Sequence, residues 1–453
     1  MISILEKQRT FFNTNKTKDL SFRKEQLKLL KEVFQKYEKE MEAAIYDDFK
    51  KSKFDTFTNE MGLLYLDINE ALNKMNRWAK KKRVGTNIIN FPSKNYVISE
   101  PLGTSLIIGA WNYPFQLSFA PVIAAIAAGN TVVLKPSEVP TNTSAVIAKM
   151  INENFNPDFF KVVEGGVPET TELLGLKWDK IFFTGSTKVG RIVYKAAAEN
   201  LTPVTLELGG KSPAIITEGA NLSVALKRLL WAKFLNAGQT CIAPDYILID
   251  EKVKAEFIEK AIAFIEEQQY SFERENYVQI INERNVERLQ KLIDPSKVIY
   301  GGEIDSGSRY IQPTIMEGVN IEDAVMQEEI FGPILPILTY KNIDEAIQLV
   351  KDQPKPLACY ILTKNTSIKQ KLLRELSFGG GAVNEAIMHI TNSNLPFGGV
   401  GDSGIGNYHG KAGFDTFSHK KSIMEKQTWF EPNFKFAPYT AKKLKWVKWL
   451  LGR

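Results

Sequence analysis

The sequence predicts an α/β protein with two successive parallel-sheet units, and two observations lead to this prediction. From residue 102 onward, short apolar runs alternate with longer segments of helical pattern, which is typical of repeated strand–helix units. A second alternation of the same kind follows residue 210, after paired glycines in "LELGGKSP" interrupt the first. A chain of 453 residues is long enough for two or three domains with separate cores.

The first 80 residues precede this alternation and are predicted to be helical. From Ser21, apolar residues recur at three- and four-residue steps, with lysines and glutamates between them, as on an amphipathic helix. A second helical stretch is expected from about Thr58 to Lys82. The segment "TNIINFPSKNYVISEP" then places Asn, Pro and Ser turn residues between β-prone runs, which indicates a hairpin.

Strands and helices then follow in order. The first unit has predicted strands in "TSLIIGA", "TVVLK", "FKVVEG" and "KIFFTG", separated by helices such as "LSFAPVIAAIAAG" and "TSAVIAKMINENF" and followed by "TKVGRIVYKAAAEN". The second unit begins with strands in "SPAIIT" and "YILID" and helices in "NLSVALKRLLWAKFLN" and "KVKAEFIEKAIAFIEEQ". Helices between parallel strands cover both faces of such a sheet.

Composition argues against several classes of protein. Two cysteines and three scattered histidines do not suffice for a disulfide framework or a zinc cage, so we expect no metal site and a reducing compartment. "MISILEKQRTFFNTNK" lacks the apolar region of a signal peptide, and no apolar run approaches the ~18 residues that span a bilayer. The expected location is therefore the cytoplasm.

The net charge of +6 lies entirely in the C-terminal tail. Residues 433–453 contain six basic and no acidic residues, and without them the chain has 52 residues of each sign. A body without excess charge does not predict nucleic-acid binding, whereas the basic tail indicates a specialised segment.

Two strand-to-turn junctions are candidates for binding a nucleotide. In "FFTGSTKVG" a strand ends at Gly185 and Ser186 and a helix opens at once, so amide groups and the positive helix end can face an anion. In "VLKPSEVP" a strand projects Lys135 and Glu138, whose side chains can bond ribose hydroxyls. The first segment can instead be a plain strand-to-helix turn, and the second a solvated turn with a surface lysine.

A glutamate and an asparagine are candidates for chemistry. Glu207 lies in the apolar strand of "VTLELGGKSP", where loss of solvation raises the pKa of a carboxyl towards the range of a general base. It can also be a salt-bridged structural residue. Asn112 of "IIGAWNYPF" is fixed by a proline turn and can donate to an oxyanion, or it can merely form the turn.

The two cysteines stand in different contexts. Cys241 follows the glycine of "FLNAGQTCIAPDY" in a turn that Pro244 closes, whereas Cys359 of "LACYILT" has apolar β-strand neighbours and is expected to be inert. From the residues alone, Cys241 is either a nucleophile or a core thiol.

Taken together, these motifs resemble the aldehyde dehydrogenase superfamily over about residues 5–430. Seven segments fit in family order: "WNYPF", "KPSE", "FTGSTKVG", "ELGGKSP", "GQTCIAPDY", "QEEIFGPILP" and "LPFGGVGDSGIG". The tyrosine of "WNYP" and the "CIAPDY" after the cysteine are similar to the class 3 branch, which includes fatty and aromatic aldehyde dehydrogenases.

The resemblance implies a role for each candidate. Cys241 would attack the aldehyde carbon, and its backbone amide and the Asn112 side chain would hold the oxyanion of the thiohemiacetal. After hydride transfer, Glu207 would activate the water that hydrolyses the thioester to the carboxylate. Tyr113 and Phe397 would line the aldehyde channel. The implied substrate is an apolar aldehyde, either long-chain or aromatic.

The resemblance also implies a cofactor, NAD, with NADP as an alternative. The implied contacts are Lys135 and Glu138 at the adenosine ribose, Gly185 and Ser186 at the pyrophosphate, Gly190 for close helix packing, Glu329 at the nicotinamide ribose and Phe331 behind it. The Glu138 carboxylate would repel a 2′-phosphate and so favour NAD.

The implied architecture is a Rossmann-like cofactor domain, an α/β catalytic domain and a β bridging arm that joins a homodimer. The expected ranges are 1–82 with 102–207 for the cofactor domain, 208–396 for the catalytic domain, 83–101 with 397–430 for the arm, and 431–453 for the tail. Within the arm, the hairpin near 83–101 is expected to pair with a strand near 411–430.

Two other functions share this fold. An acylating enzyme would pass the thioester to a thiol such as coenzyme A, but it would not need Glu207. A non-catalytic structural protein would not need Cys241, Glu207 and Asn112 together.

The tail is predicted to be helical from Thr440 to Gly452. Leucines and Val447 lie on one side and most lysines lie opposite, although Lys443 and Trp449 break the separation. Such a helix can lie reversibly at the inner face of a membrane, or it can dock on the protein or on its partner.

Overall fold

The computed structural model describes residues 1–452. Two mainly parallel sheets with flanking helices form its body, and a third, antiparallel sheet extends from it. The helices are α1 Ile2–Asn13, α2 Leu20–Phe49, α3 Lys53–Thr56, α4 Gly62–Trp78, α5 Pro114–Ala128, α6 Thr141–Asn154, α7 Val167–Leu174, α8 Thr187–Glu199, α9 Leu222–Phe234, α10 Glu251–Gln268, α11 Glu283–Gln290, α12 Ala324–Gln327, α13 Ile343–Lys351, α14 Thr366–Glu375, α15 Gly410–Thr416 and α16 Ala441–Leu450.

The strands are β1 Lys82–Val84, β2 Ser93–Pro101, β3 Thr104–Ile108, β4 Thr131–Lys135, β5 Phe160–Val162, β6 Lys180–Thr184, β7 Val204–Glu207, β8 Pro213–Ile216, β9 Tyr246–Asp250, β10 Val298–Tyr300, β11 Ile304–Asp305, β12 Tyr310–Ile311, β13 Thr314–Met316, β14 Ile334–Tyr340, β15 Ala358–Leu362, β16 Gly380–Val383, β17 Gly404–Ile405 and β18 Ser418–Lys426. Every strand and helix predicted between residues 102 and 268 is present. Short 3₁₀ segments and a π-helical turn at Phe57–Met61 complete the structure.

The first sheet has the strand order β17-β7-β6-β3-β4-β5, and only β17 runs antiparallel to its neighbour. Strands β3, β4 and β6 are buried along their whole length because helices cover both faces. Parallel register places Lys135 beside Ile108 and Glu207 beside Thr184. The carboxyl ends of these strands, and hence the loops that follow them, therefore meet at one edge of the sheet.

The second sheet has the order β10-β13-β14-β9-β8-β15-β16. The neighbouring strands β8 and β15 are wholly buried, and β15 contains Cys359, which is 1% exposed. The first sheet ends in sequence at Glu207 and the second begins at Pro213, on either side of the paired glycines. The domain ranges given above remain predictions.

The third sheet has the order β1-β2-β18. The predicted pairing of the hairpin with a strand near 411–430 is present, because β18 pairs with β2 from Ser418 opposite Pro101 to Lys426 opposite Ser93. The hairpin itself differs in detail from the prediction. Its first strand is Lys82–Val84, and the "IIN" segment forms a 3₁₀ turn, since the Asn87 side chain accepts a hydrogen bond from the Asn90 amide at 3.0 Å.

Helix α1 packs against strands β3 and β4 of the first sheet, whereas α2 and α4 pack on helix α5. Helix α2 begins at Leu20, one residue before the predicted start, because the Asp19 side chain caps it by accepting from the Ser21 amide at 2.8 Å. The second predicted helix ends at Trp78 rather than near Lys82, because Lys82 pairs with Val97 in the arm.

Candidate active site

The loop that contains Asn112 is bonded to the segment that precedes Cys241. The Asn112 side-chain amide donates to the Gln239 carbonyl at 3.1 Å, and the Tyr113 hydroxyl lies 2.7 Å from the Thr240 hydroxyl. Asn236 donates in turn to the carbonyls of Asn112 and Gln239, at 3.0 and 3.1 Å. The structure therefore brings Asn112 and Cys241 together from distant parts of the chain.

The segment between helix α9 and Cys241 has a strained backbone. Asn236, Ala237 and Gly238 all have positive φ values, of 53°, 51° and 72°. A Cβ on Gly238 would lie 2.3 Å from the Gly332 carbonyl oxygen, so no larger residue fits there. Left-handed non-glycine residues cost free energy and concentrate at functional sites. Sequence reasoning missed this feature, since "LNAG" was expected only to end a helix.

Gln239 stabilises that strained segment from within. It is fully buried, its side-chain oxygen accepts from the Ile281 amide at 2.9 Å, and its side-chain nitrogen donates to the Asn236 carbonyl at 3.1 Å. Gln239 was not among the predicted site residues. The only signal in the sequence was the presence of a glutamine two residues before the cysteine.

Cys241 is half-buried between two carboxyl groups. Burial raises the pKa of its thiol well above the ordinary value, and the nearby Glu329 and Glu207 carboxylates raise it further. These neighbours therefore do not favour the thiolate. The thiol needs a base or a higher pH to lose its proton and become a nucleophile. The second thiol, Cys359, has no comparable exposure.

Glu207 is the last residue of strand β7 and is 2% exposed. Its backbone carbonyl accepts from the Gly185 amide at 3.0 Å, and strand β17 pairs with it on the other side through Gly404. Among residues 1–452, no group donates a hydrogen bond to either carboxyl oxygen. Burial raises the pKa of this carboxyl well above its usual value. The predicted salt-bridged alternative is therefore wrong for Glu207.

The predicted nucleotide residues lie at the same edge of the first sheet. Lys135 is buried, and its ammonium group donates to the half-exposed Glu138 carboxylate at 2.8 Å. Helix α8 starts directly after Gly185, with the Ser186 hydroxyl accepting from the Val189 amide at 3.4 Å. The Gly185 amide is already bonded within the sheet, so only later amides of this turn can face an anion.

Gly190 allows close helix packing, as the family resemblance implied. A Cβ at this position would lie 2.6 Å from a methyl carbon of Leu208, so a larger residue would push helix α8 away from strand β7. The absence of a side chain thus keeps the helix start close to the sheet edge.

Glu329 and Phe331 reach the site from the loop before strand β14. A Cβ on Gly209 would lie 1.8 Å from a Glu329 carboxyl oxygen, so the glutamate fills the space above that glycine. Phe331 has a φ of 49°, and its ring packs edge-on against Trp111 at 5.2 Å. Burial and the charge of Asp245 raise the pKa of Glu329 to about 8.

A buried ion pair holds that loop in place. Lys211 bonds Asp245 and donates to the carbonyls of Val325 and Glu328, at 2.9 and 2.8 Å. The other Asp245 oxygen accepts from the Ile330 amide at 2.9 Å. Both residues belong to motifs recognised in the sequence, but neither had been assigned a role.

A groove of about 1310 Å³ opens beside this site. Its apolar lining includes Phe54, Leu63, Trp231, Leu235, Ile387 and Ile390. Asn236, which bonds the Asn112 carbonyl, also lines the groove, so the groove extends to the loop that holds Asn112.

Tyr113 and Phe397 do not belong to the lining of this groove. Tyr113 is buried behind Thr240, and Phe397 stacks on His409 at 5.3 Å and is 6% exposed.

Comparisons with known proteins agree with this geometry. The sequence model of the aldehyde dehydrogenase family matches residues 3–423. The chain is 48% identical to 4,4′-diaponeurosporen-aldehyde dehydrogenase of Staphylococcus aureus, over 97% of this chain and 96% of that protein. It is 44% identical to mouse aldehyde dehydrogenase family 3 member A2 over 98% and 92% of the two chains. The mouse "dimeric NADP-preferring" aldehyde dehydrogenase is also 44% identical, over 93% and 94%.

A solved structure of S. aureus AldH in a substrate-bound state superposes with a TM-score of 0.97 at 46% identity, covering 99% of both chains.

Proposed function

Because the chain belongs to the aldehyde dehydrogenase family, we propose that Cys241 is its nucleophile, Glu207 its hydrolytic base and Asn112 its oxyanion donor. The protein is an NAD(P)-dependent enzyme that oxidises aldehydes to carboxylates. The observation that carries the residue assignment is the unpaired, buried Glu207 carboxyl in electrostatic contact with the half-buried Cys241 thiol.

The reaction begins at Cys241. Its thiolate adds to the aldehyde carbon, and the carbonyl electron pair moves to oxygen to give a tetrahedral thiohemiacetal. The Asn112 side-chain amide and the Cys241 backbone amide donate to that oxygen. Asn112 keeps one N–H on the Gln239 carbonyl, which leaves its second N–H for the substrate.

When bound, NAD(P) accepts the hydride that leaves the thiohemiacetal carbon. Lys135, Glu138, the start of helix α8, Glu329 and Phe331 are the residues that would hold this cofactor. Their fit is supported by the close approach of helix α8 to β7 at Gly190 and by the Glu329 carboxyl above Gly209.

Hydrolysis completes the turnover. Glu207 takes a proton from water as the water oxygen attacks the thioester carbon, the carbon–sulfur bond breaks, and Cys241 leaves as the thiolate. Burial keeps other water away from the carboxyl, which strengthens its basicity once it is ionised.

Glu138 is expected to influence the choice between NAD and NADP. Glu138→Gln removes a half-exposed negative charge near the expected ribose position, so we expect the kcat/KM ratio of NADP to NAD to rise about tenfold. The matched control is Glu40→Gln, which removes an exposed carboxylate that bonds Lys149 at the same 2.8 Å distance. An unchanged ratio in Glu138→Gln would place this residue away from the ribose.

The substrate is proposed to be an apolar aldehyde with a long chain or an aromatic group. The apolar lining of the 1310 Å³ groove supports this proposal. Among the relatives, the S. aureus protein is named for the aldehyde of 4,4′-diaponeurosporene. Burial of apolar surface contributes up to about 0.8 kcal/mol per methylene group.

A series of straight-chain aldehydes tests the substrate class. We expect kcat/KM for NADH formation to rise with chain length, and Trp231→Ala to lower it about tenfold for a long aldehyde but less than about twofold for propanal. Leu373→Ala, at a similarly exposed position on helix α14, serves as the control. A flat chain-length series would contradict the proposal, and dependence of turnover on coenzyme A would favour the acylating alternative.

We also propose that the enzyme is a homodimer. One relative is named a dimeric enzyme. Strand β18 is an outer strand of the three-stranded sheet and pairs with β2 on one side only, among the residues that the structure describes. Such an edge can accept a strand from a second copy.

The carboxy-terminal helix α16 begins at Ala441 with Thr440 as its cap, as predicted. Its side chains are largely exposed, including Leu444 at 55%, Trp446 at 60% and Trp449 at 68%. Within the described chain it contacts mainly the 3₁₀ turn at Asn433–Lys435, so docking on its own subunit is not observed. Between residues 1 and 452, no helix is long and apolar enough to cross a membrane.

We propose that this tail binds reversibly to an anionic membrane surface. Its exposed tryptophans suit the interface, and each lysine contributes roughly 1 kcal/mol near anionic lipid. In co-sedimentation, the full chain should bind anionic vesicles and be released by high salt, whereas a chain that ends at Pro432 should stay in solution and still oxidise short aldehydes. Equal partitioning of both forms would contradict the proposal, and collapse of the shortened chain would favour docking on a partner.

A further inference from the structure

Hydrolysis leaves a proton on Glu207, and this proton has to reach solvent before the next turnover. This requirement rests on the proposed role of Glu207 as the hydrolytic base. The carboxyl is 2% exposed, and the proposed mechanism gives the site two openings: the cofactor edge of the first sheet and the aldehyde groove. Both openings are filled during turnover, one by NAD(P) and the other by an apolar chain that carries no protons. A third path is therefore required.

A series of buried polar groups without protein partners starts at Glu207. Thr184 is its register neighbour on strand β6, and the Thr184 hydroxyl has no hydrogen-bond partner among residues 1–452. The Tyr408 hydroxyl is likewise unpartnered, although the residue is 1% exposed. Its ring packs edge-on against Phe182 of β6 at 5.0 Å. Buried polar groups of this kind are ordinarily satisfied by ordered water.

Near Tyr408 lies a separate pocket of about 260 Å³, which the adjacent His409 lines. The pocket is lined by Asp67, Glu70, Gln116 and His409, among others, and the His409 ring lies 4.3 Å from that of Tyr408. The Gln116 side chain, which also lines the pocket, lies close enough to the Tyr408 hydroxyl to lower its pKa, although the two groups do not form a hydrogen bond of normal geometry.

The pocket contains further polar atoms without partners. One Glu70 carboxyl oxygen and the His409 Nε2 atom lack partners among the described residues, while the other Glu70 oxygen accepts from Lys74 at 2.6 Å. A short chain of water molecules would form hydrogen bonds with these atoms.

The charges around Tyr408 are consistent with proton transfer. Burial raises the pKa of its hydroxyl well above the usual value, and the nearby negative groups Glu207, Cys241 and Asp67 raise it further. Burial and the Glu70 charge raise the pKa of Asp67 to about 7. A carboxyl with that pKa can both accept and release a proton near neutral pH.

We propose that Tyr408 and Asp67 carry the hydrolytic proton from Glu207 to the 260 Å³ pocket. Glu207 gives its proton to the Tyr408 oxygen through ordered water while Tyr408 gives its own hydroxyl proton towards the Asp67 carboxylate. Asp67 then releases a proton to the solvent in the pocket. At the end Tyr408 is neutral, and Glu207 and Asp67 are again carboxylates, so charge and protons balance.

The test measures the acyl-enzyme that accumulates during turnover. Reactions with NAD and a long-chain aldehyde are quenched in acid, and intact mass gives the acylated fraction at steady state. We expect Tyr408→Phe and Asp67→Asn each to raise that fraction and to slow steady-state turnover about tenfold, while the initial rate of NADH formation changes less than about twofold.

Two comparisons distinguish a loss of proton transfer from a structural defect in the variants. Tyr340→Phe removes another buried hydroxyl, which bonds the Ile216 carbonyl at 2.9 Å, and should leave the acylated fraction unchanged. In Asp67→Asn, added imidazole should restore hydrolysis, because a small base in the pocket can take the proton from Tyr408. A structural defect would not respond to imidazole, and absence of rescue would overturn the role of Asp67.

Other outcomes separate this inference from the proposed function. If Glu207→Gln accumulates acyl-enzyme but Tyr408→Phe and Asp67→Asn do not, the relay is wrong and the role of Glu207 stands. If no variant and no wild-type sample carries an acyl group on Cys241, the proposed mechanism itself fails. If Tyr408→Phe does not fold, Asp67→Asn with imidazole still decides the question.

Discussion

Cys241→Ser is expected to lower aldehyde oxidation by at least about a thousandfold, because a serine hydroxyl at this position has no base paired to it and is a far weaker nucleophile than a thiolate. The thiol is only half-buried and serine differs from cysteine by one atom, so the variant should fold and bind NAD normally. Stopped-flow NADH absorbance measures the chemical step, and cofactor titration by fluorescence measures binding.

Cys359→Ser is the matched control for this experiment. Cys359 is 1% exposed in strand β15, and its replacement introduces a buried hydroxyl but touches none of the proposed site residues. We expect a modest loss of stability with most of the activity retained. Equal loss of activity in the two variants would mean that Cys241 is not the nucleophile.

Glu207→Gln is expected to slow thioester hydrolysis by about a hundredfold to a thousandfold, with a much smaller effect on hydride transfer. The amide is isosteric but cannot take a proton from water. Rapid mixing should therefore show a burst of NADH close to one per active site, followed by a slow steady state. Proportional loss of the burst and the steady state would indicate that Glu207 acts earlier or only structurally.

The pH dependence of the wild-type enzyme follows from the same two groups. The pKa values of Glu207 and Cys241 are both raised, so each is protonated, and inactive in its proposed role, at lower pH. Activity is therefore expected to increase with pH above the ordinary range of a glutamate carboxyl. In Glu207→Gln the burst should keep a pH dependence, because Cys241 still titrates, while hydrolysis should lose the contribution of Glu207.

Much of this site could be predicted from sequence because its residues stand at strand ends. The position of Glu207 at the end of an apolar run, and of Asn112 just after another, is visible in the chain, and parallel strands bring their carboxyl ends to one edge. The family resemblance implied close helix packing at Gly190, and the contact with Leu208 gives its physical reason.

The supporting residues could not be found in this way. Asn236 and Gln239 act through hydrogen bonds to the Asn112 loop, over 120 residues away, and no local pattern marks such a contact. Tyr113 and Phe397 were expected to line the aldehyde channel, which stays a prediction; the 1310 Å³ groove is lined by other side chains. Which side of a loop faces a cavity depends on packing that the one-dimensional pattern does not contain.

The sequence by itself determined the two strand–helix units, the family, the cysteine in its glycine-rich turn and the basic tail, because periodicity, composition and ordered motifs are properties of the chain. Only the tertiary structure decided that Glu207 lacks a partner and that Asn236 and Ala237 are strained. It likewise decided that the Tyr408 hydroxyl is buried, and that Asp67 and His409 line one pocket. These features arise where segments distant in sequence meet, since burial and hydrogen bonding depend on which neighbours the fold supplies.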